Sequence, residues 1–193
     1  RFRRDDNERA RQFFEKARKE KYFNETLFVI VGDHGFGNER QITEMDLGRF
    51  NVPMLMIAPG IQQKFGTRDH TVRTQIDIVP TIMGRLGGEV RQQCWGRDLL
   101  NLPQGDTGFG VIKPSGSEQT TAIVTADEIL VLPRDKDMGP KIWKYQLGAN
   151  PHAEVVPDAP RTAELKHKLE AFLQTATKSL LDNPAGVIHG KPD

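Results

Sequence analysis

The chain has 193 residues, with 27 Lys and Arg against 26 Asp and Glu, so its formal net charge is +1. That balance leaves no basic footprint for nucleic acid, and no apolar run reaches the roughly 18 residues of a membrane-spanning helix. Mean hydropathy is −0.54, and the single cysteine, Cys94, excludes an internal disulfide and a cysteine-based zinc cluster.

The opening stretch RFRRDDNERA is charged and has no apolar h-region, so it does not read as a signal peptide. The absence of an initiating Met leads us to expect a fragment or a processed product. Asp5 to Tyr22 is predicted as a helix, capped by Asp5 or Asp6, with Ala10, Phe13, Phe14 and Ala17 on one face. Thr26–Val31 is predicted as a strand. Its run of Leu27, Phe28, Val29, Ile30 and Val31 does not alternate, which predicts burial on both faces, as in a parallel sheet. Residues 38–51 read mostly as loop, and Val52–Gly60 as a second buried strand closed by Pro59-Gly60. After a polar connection, TVRTQIDIVPTIMGRLGG reads as helical, with Ile76, Val79, Ile82, Met83 and Leu86 on one face and Gly87-Gly88 at its end. Pro80 should begin a new helix there or kink this one.

From Asn101 to Ser117 the chain is rich in Gly and Pro and reads as loop. TAIVTAD, EILVLPR and KIWKYQLG follow without intervening helices, so they should pair as an antiparallel meander. A last helix is predicted over PDAPRTAELKHKLEAFLQTATKSLLDN, with Leu165, Leu169, Phe172, Leu173, Ala176 and Leu180 as its stripe and Asn183-Pro184 as its stop. The order is that of an α/β layer followed by a small antiparallel appendage and a C-terminal helix.

The chemistry gathers at GDHGFG, where the first strand ends in Asp33 and His34 between glycines. Ligands of open α/β sheets bind beyond the carboxyl ends of strands. Glycine lets the backbone turn and approach an ion there, and a carboxylate beside an imidazole suits Zn²⁺ or Mn²⁺. A bare Asp-His pair also fits an ordinary turn.

Four pieces in order, NETLFVIVGDHGFGNE, NVPMLMIAPG, VRTQIDIVPTIMGRLGG and CWGRDLL, resemble the second half of a sulfatase-type domain of the alkaline phosphatase superfamily. KIWKYQLGANPHAEVV resembles that family's strand before its last helix. The resemblance runs over about residues 8–183. It implies the C-terminal part of an alkaline-phosphatase-like α/β/α sandwich, with residues 1–100 from the catalytic α/β layer and 101–193 supplying antiparallel strands and the last helix. The glycine before Asp33-His34 and the segment around QIDI bring the lipoteichoic acid synthase and phosphoglycerol transferase branch to mind.

The resemblance implies that Asp33 and His34 are metal ligands. It implies a divalent cofactor, Mn or Zn, or Ca in a true sulfatase. The family's nucleophile lies upstream and has no counterpart here, so the catalytic residue is expected outside this chain, in a missing N-terminal half of the same domain, and the piece should be inactive alone. The implied mechanism is covalent: an ester group moves onto a metal-activated hydroxyl, then onto an acceptor alcohol or water. The implied substrate is an anionic lipid or glycan ester, and the implied setting is a bacterial cell envelope. The alternatives are a sulfate ester hydrolase and a non-catalytic descendant that binds lipid headgroups or a partner protein.

Other residues carry two readings each. His70 and Arg68 are candidates for binding substrate, and Arg68, Arg73 and Lys64 form a basic cluster that could meet an anionic headgroup or simply be solvated. Glu39 and Arg40 could line the site. Asp77 and Thr81 should cap the helix around Pro80. Cys94 lies outside a sulfatase nucleophile context and reads as packed or inert. His152, His167 and His189 read as surface residues, and Trp95 and Trp143 as packing.

Overall fold

Two apolar tetrapeptides, Phe28–Val31 (β1) and Met54–Ile57 (β2), pair antiparallel with Phe28 opposite Ile57 and Val31 opposite Met54. They belong to a computed structural model that describes residues 4–37, 41–89, 92–114, 120–157 and 160–182. The chain divides into two compact units. The first comprises Arg1–Gly35 with Asn51–Asp69, and the second Phe36–Phe50 with His70–Asp193.

The first unit joins a helix to a hairpin through a cluster of aromatic rings. Helix α1 spans Arg4–Ala17, shorter than the predicted Asp5–Tyr22, and a 3-10 turn at Lys21–Glu25 follows it. The Thr26 hydroxyl donates to the Tyr22 carbonyl at 2.8 Å and closes that turn. Phe14 and Phe28 meet edge to face with centroids 5.4 Å apart, Phe13 and Phe23 add further ring contacts, and Ala17 is buried. The predicted parallel, doubly buried strand is corrected here. All of β1 is only half-buried, and its ladder among the described residues is antiparallel to β2. β2 is also incompletely covered, with Leu55 51% exposed. An unbroken apolar run states that a strand wants cover on both faces. It does not state whether the same piece of chain supplies it. The connection after β2, read as merely polar, holds a short helix α2 at Ile61–Phe65 between two left-handed glycines.

The second unit builds its own core. Five strands form an antiparallel meander in chain order: β3 (Gly110–Ile112), β4 (Thr121–Val124), β5 (Glu128–Leu132), β6 (Lys141–Gln146) and β7 (His152–Val155). Helix α4, Thr162–Asp182, covers one face. Strand alternation sends Ile123, Leu130 and Ile142 toward Leu165 and Leu169 of α4, and all five are essentially sealed from solvent. The intervening residues Ala122, Val124, Ile129 and Val131 face the opposite way and meet Met45 and Leu47. Each such aliphatic side chain contributes about 1.5–3 kcal/mol on burial. The sequence reading gave β4, β5 and β6 but placed β3 in a loop and did not separate β7. Helix α4 buries Leu165 and Leu169, whereas Leu180 of the predicted stripe is 75% exposed; the Asn183-Pro184 stop lies outside the described residues.

Helix α3 runs from Ile78 to Leu86 after a 3-10 turn at Gln75–Asp77. Pro80 sits in the first turn of α3, where a missing N–H breaks no intrahelical bond, so a new helix begins around it as expected. Its predicted apolar stripe is corrected: Val79 is 53% and Leu86 72% exposed, while Asp77, Pro80 and Thr81 are buried. Hydrogen bonding explains the inversion. Asp77 accepts from the Thr74 N–H at 2.8 Å and the Thr74 hydroxyl at 3.1 Å, and its other oxygen accepts from the Arg97 N–H at 2.8 Å. The Thr81 hydroxyl donates to the Asp77 carbonyl at 2.7 Å and accepts from the Leu99 N–H at 2.9 Å. The expected capping role of Asp77 is present, whereas Thr81 bonds back to the Asp77 carbonyl within the helix, and both side chains fasten residues 97–99 to it. Gly96 is required at this joint, because a Cβ there would lie 2.1 Å from the Ile76 carbonyl oxygen.

Candidate metal-binding pair

Strand β1 delivers Asp33 and His34 to the surface. Gly32 closes the ladder by donating its N–H to the Pro53 carbonyl at 3.2 Å, and a Cβ on Gly32 would press on Val52 at 3.2 Å. Immediately beyond, the Asp33 side chain is 90% and the His34 side chain 69% exposed. Asp33 Oδ1 accepts from the backbone N–H of its neighbour His34 at 2.9 Å, which orients the carboxylate. His34 Nδ1 lies 2.9 Å from the Gly35 carbonyl oxygen. That contact favours the tautomer with the proton on Nδ1 and leaves Nε2 with its lone pair, the arrangement that ligating histidines use. Nε2 and Asp33 Oδ2 are 3.8 Å apart. His34 Nε2 and Asp33 Oδ2 are the atoms that would hold a divalent cation.

The donor chemistry fits a divalent cation, one oxygen and one nitrogen with an oriented ring. It is a partial set: among the described residues no group of three or more His, Cys, Asp and Glu side chains could hold a metal ion. The other sequence candidates are scattered. Arg68 is exposed after α2 in the first unit, and His70 is exposed at the start of the second. Lys64 sits over the Phe65 ring at 5.2 Å, while Arg73 is half-buried in the second unit. Glu39 and Arg40 lie outside the described residues, as does His189. His152 and His167 are exposed, as expected. Cys94 is exposed and so is not packed. Trp143 does pack against the meander core, and Trp95 meets Phe172 edge to face at 6.3 Å while remaining 41% exposed.

Two features of the second unit escaped the sequence reading. Residues 38–51 read mostly as loop, yet Thr43, Met45 and Leu47 within them are buried. Their i, i+2, i+4 spacing is the signal that could have found them. Asp46 caps the turn that follows by accepting from the Gly48 N–H at 3.1 Å. In CWGRDLL, Arg97 and Asp98 form a polar network with Asp106 and Arg85: Arg97 lies 3.5 Å from Asp106, and Arg85 2.9 Å from Asp98.

Comparison with known proteins finds likenesses in family and in fold. The family model described as Sulfatase matches residues 9–88, which contain β1, the Asp33-His34 pair, β2 and α3. The Multifunctional alkaline phosphatase superfamily protein PehA of Trinickia caryophylli is 29% identical over 82 residues, covering 40% of this chain and 16% of that protein. A crystal structure of a protein in the alkaline phosphatase superfamily from Vibrio parahaemolyticus shares the fold, with a TM-score of 0.68 at 22% identity over 89% of this chain. The match takes in 39% of that solved chain, so this chain spans well under half the length of either relative. Over residues 9–88 it is similar to the sulfatase-type domains of the alkaline phosphatase superfamily.

Proposed function

We propose that the intact protein is a metal-dependent enzyme that transfers or cleaves a phosphate or sulfate ester, with Asp33 and His34 as two of its metal ligands. The observation that supports this reading is the strand-end geometry of the pair, with Asp33 Oδ2 and His34 Nε2 turned to within 3.8 Å of each other and His34 Nδ1 against the Gly35 carbonyl. A divalent cation at this position would supply charge neutralisation for the ester oxygens and acidify a nucleophilic hydroxyl. The chain's own part is to hold ligands: Gly35 sets the imidazole tautomer, and the Asp33 turn orients the carboxylate. The nucleophile and the remaining ligands are assigned to sequence outside this piece, and the 193-residue chain alone is expected to be inactive.

Within that class we favour a phosphoglycerol- or phosphoethanolamine-type transferase in a bacterial envelope, acting on an anionic lipid or glycan ester. His34 beside Asp33 supports Mn²⁺ or Zn²⁺ over the oxygen-only donors that Ca²⁺ prefers. Sulfate ester hydrolysis is the second reading, favoured by the sulfatase family match over residues 9–88. The test is metal content and turnover of the full-length gene product on paired phosphodiester and sulfate ester substrates, wild type against His34→Ala. Phosphodiester turnover lost together with metal in His34→Ala is the expected result. Sulfate turnover moves the protein to the hydrolase reading, and a metal-free, inactive wild type removes the proposed role of the pair.

A further inference from the structure

Strand β1 has an edge on either side, and β2 occupies one of them. The ladder tells which backbone groups face the other. Gly32 stands opposite Pro53 in the same register and donates its N–H to the Pro53 carbonyl. Bonded and non-bonded pairs alternate along an antiparallel ladder, so Ile30 with Leu55 and Phe28 with Ile57 are also bonded pairs. Val29 and Val31 therefore turn their N–H and C=O groups away from β2. Among the described residues no other strand lies along that side.

A free edge is a template for another strand, and proteins ordinarily blunt it with a charge, a proline or a bulge. β7, at the edge of the meander, carries His152 and Glu154. β2 is bracketed by Pro53 and Pro59, the residue type that sheets keep at their margins. β1 reads FVIV after Leu27, with no charge and no proline. Its side chains are all only half-buried, and an isolated two-stranded ladder is marginal in water. Nothing along this edge deters a further strand.

We propose that the outer edge of β1 is a docking edge, and that its occupant is a strand of the intact protein lying outside these 193 residues. The outward N–H and C=O groups of Val29 and Val31 call for an extended segment. The half-covered Phe28, Val29, Ile30 and Val31 side chains call for an apolar one. Relatives have the chain to supply it: the match takes in only 39% of the solved protein whose fold this chain shares. The inference stands apart from the metal reading of Asp33 and His34.

The test is amide hydrogen exchange at single residues in the full-length gene product and in the 193-residue chain, with sedimentation of both at several concentrations. In the 193-residue chain, Val29 and Val31 should exchange at least about tenfold faster than Phe28 and Ile30, whose N–H groups bond to β2. In the full-length product they should slow to the rate of Ile30, in the monomer and at every concentration. Val29 and Val31 that exchange equally fast in both proteins overturn the proposal. Slowing already present in the monomeric 193-residue chain overturns it too, because the edge is then filled from within. Slowing that appears only with dimer formation makes a second copy the occupant and rejects the upstream strand. Loss of the metal reading moves none of these rates, so the two claims fail separately.

Discussion

Strands β1 and β5 are about equally apolar, FVIV against EILVL, yet they end in different surroundings. Ile129, Leu130 and Val131 of β5 are fully buried, with neighbours on both sides and both faces covered. β1 has one partner strand among the described residues and four half-buried side chains. The region with a complete core is the meander, which carries none of the expected chemistry. The region that carries the candidate ligands is held by a short hairpin and a cluster of rings. Stability and chemistry are thus divided between the two units, and a substitution should reveal which unit it belongs to.

The largest effect is expected for Leu130→Ala, which removes a fully buried side chain between β4, β6 and α4 and should cost about 3 kcal/mol. Denaturant unfolding followed by tryptophan fluorescence measures it, since Trp95 and Trp143 both lie in the second unit. Asp77→Ala comes next. It strips the buried partner from the Thr74 and Arg97 N–H groups and should cost about 2 kcal/mol in the same assay. Val29→Ala, in half-buried β1, should cost about 1 kcal/mol, read from amide exchange of the β1–β2 ladder. A cost equal to that of Leu130→Ala would erase the contrast between the units.

Tyr145→Phe should cost about 1 kcal/mol, because the phenol donates to the Thr125 carbonyl at 2.7 Å. Burial, helped by the nearby Asp127 charge, raises the Tyr145 pKa above 10. A raised folded value means the unfolded chain loses the phenolic proton first, so this contribution is present below pH 10 and declines as pH rises through the folded value. Tyr145→Phe should flatten that alkaline decline. The smallest effect belongs to Glu8, whose hydrogen bonds to Arg11 and then Gln12 lower its pKa from 4.5 to about 2. A lowered folded value gives stability above pH 4.5 that is lost as pH falls toward 2. The carboxyl shift of Glu8 followed by NMR, with Arg11→Ala as the control, checks it.

How much of this was written in the sequence depends on whether the governing interaction is local. β4, β5 and β6 were legible because each is an apolar run bounded by turn residues. β3 has three residues among glycines, and β7 is the polar run HAEV at a sheet edge. Those two are strands because a neighbour offers a ladder, which no pattern within them announces. The face of α3 was misjudged because spacing counts apolar residues, whereas Asp77 and Thr81 are drawn inward by N–H groups from 97–99. Asp33 and His34 were legible as a strand-end pair among glycines. The bond that holds their strand end was not, because the Gly32 N–H meets the Pro53 carbonyl far along the chain.

The Asp77–Thr81 joint has a consequence for a cut chain. Asp77 bonds to the Arg97 N–H across a sequence separation of 20, and Thr81 to the Leu99 N–H across 18. The exposed turn at Gly87–Glu89 therefore lies between two ends that are already stapled together. A protease that nicks this stretch would leave two fragments that co-migrate under native conditions and part only in denaturant. The same stretch is where an inserted peptide or affinity tag should be accommodated without disturbing its surroundings.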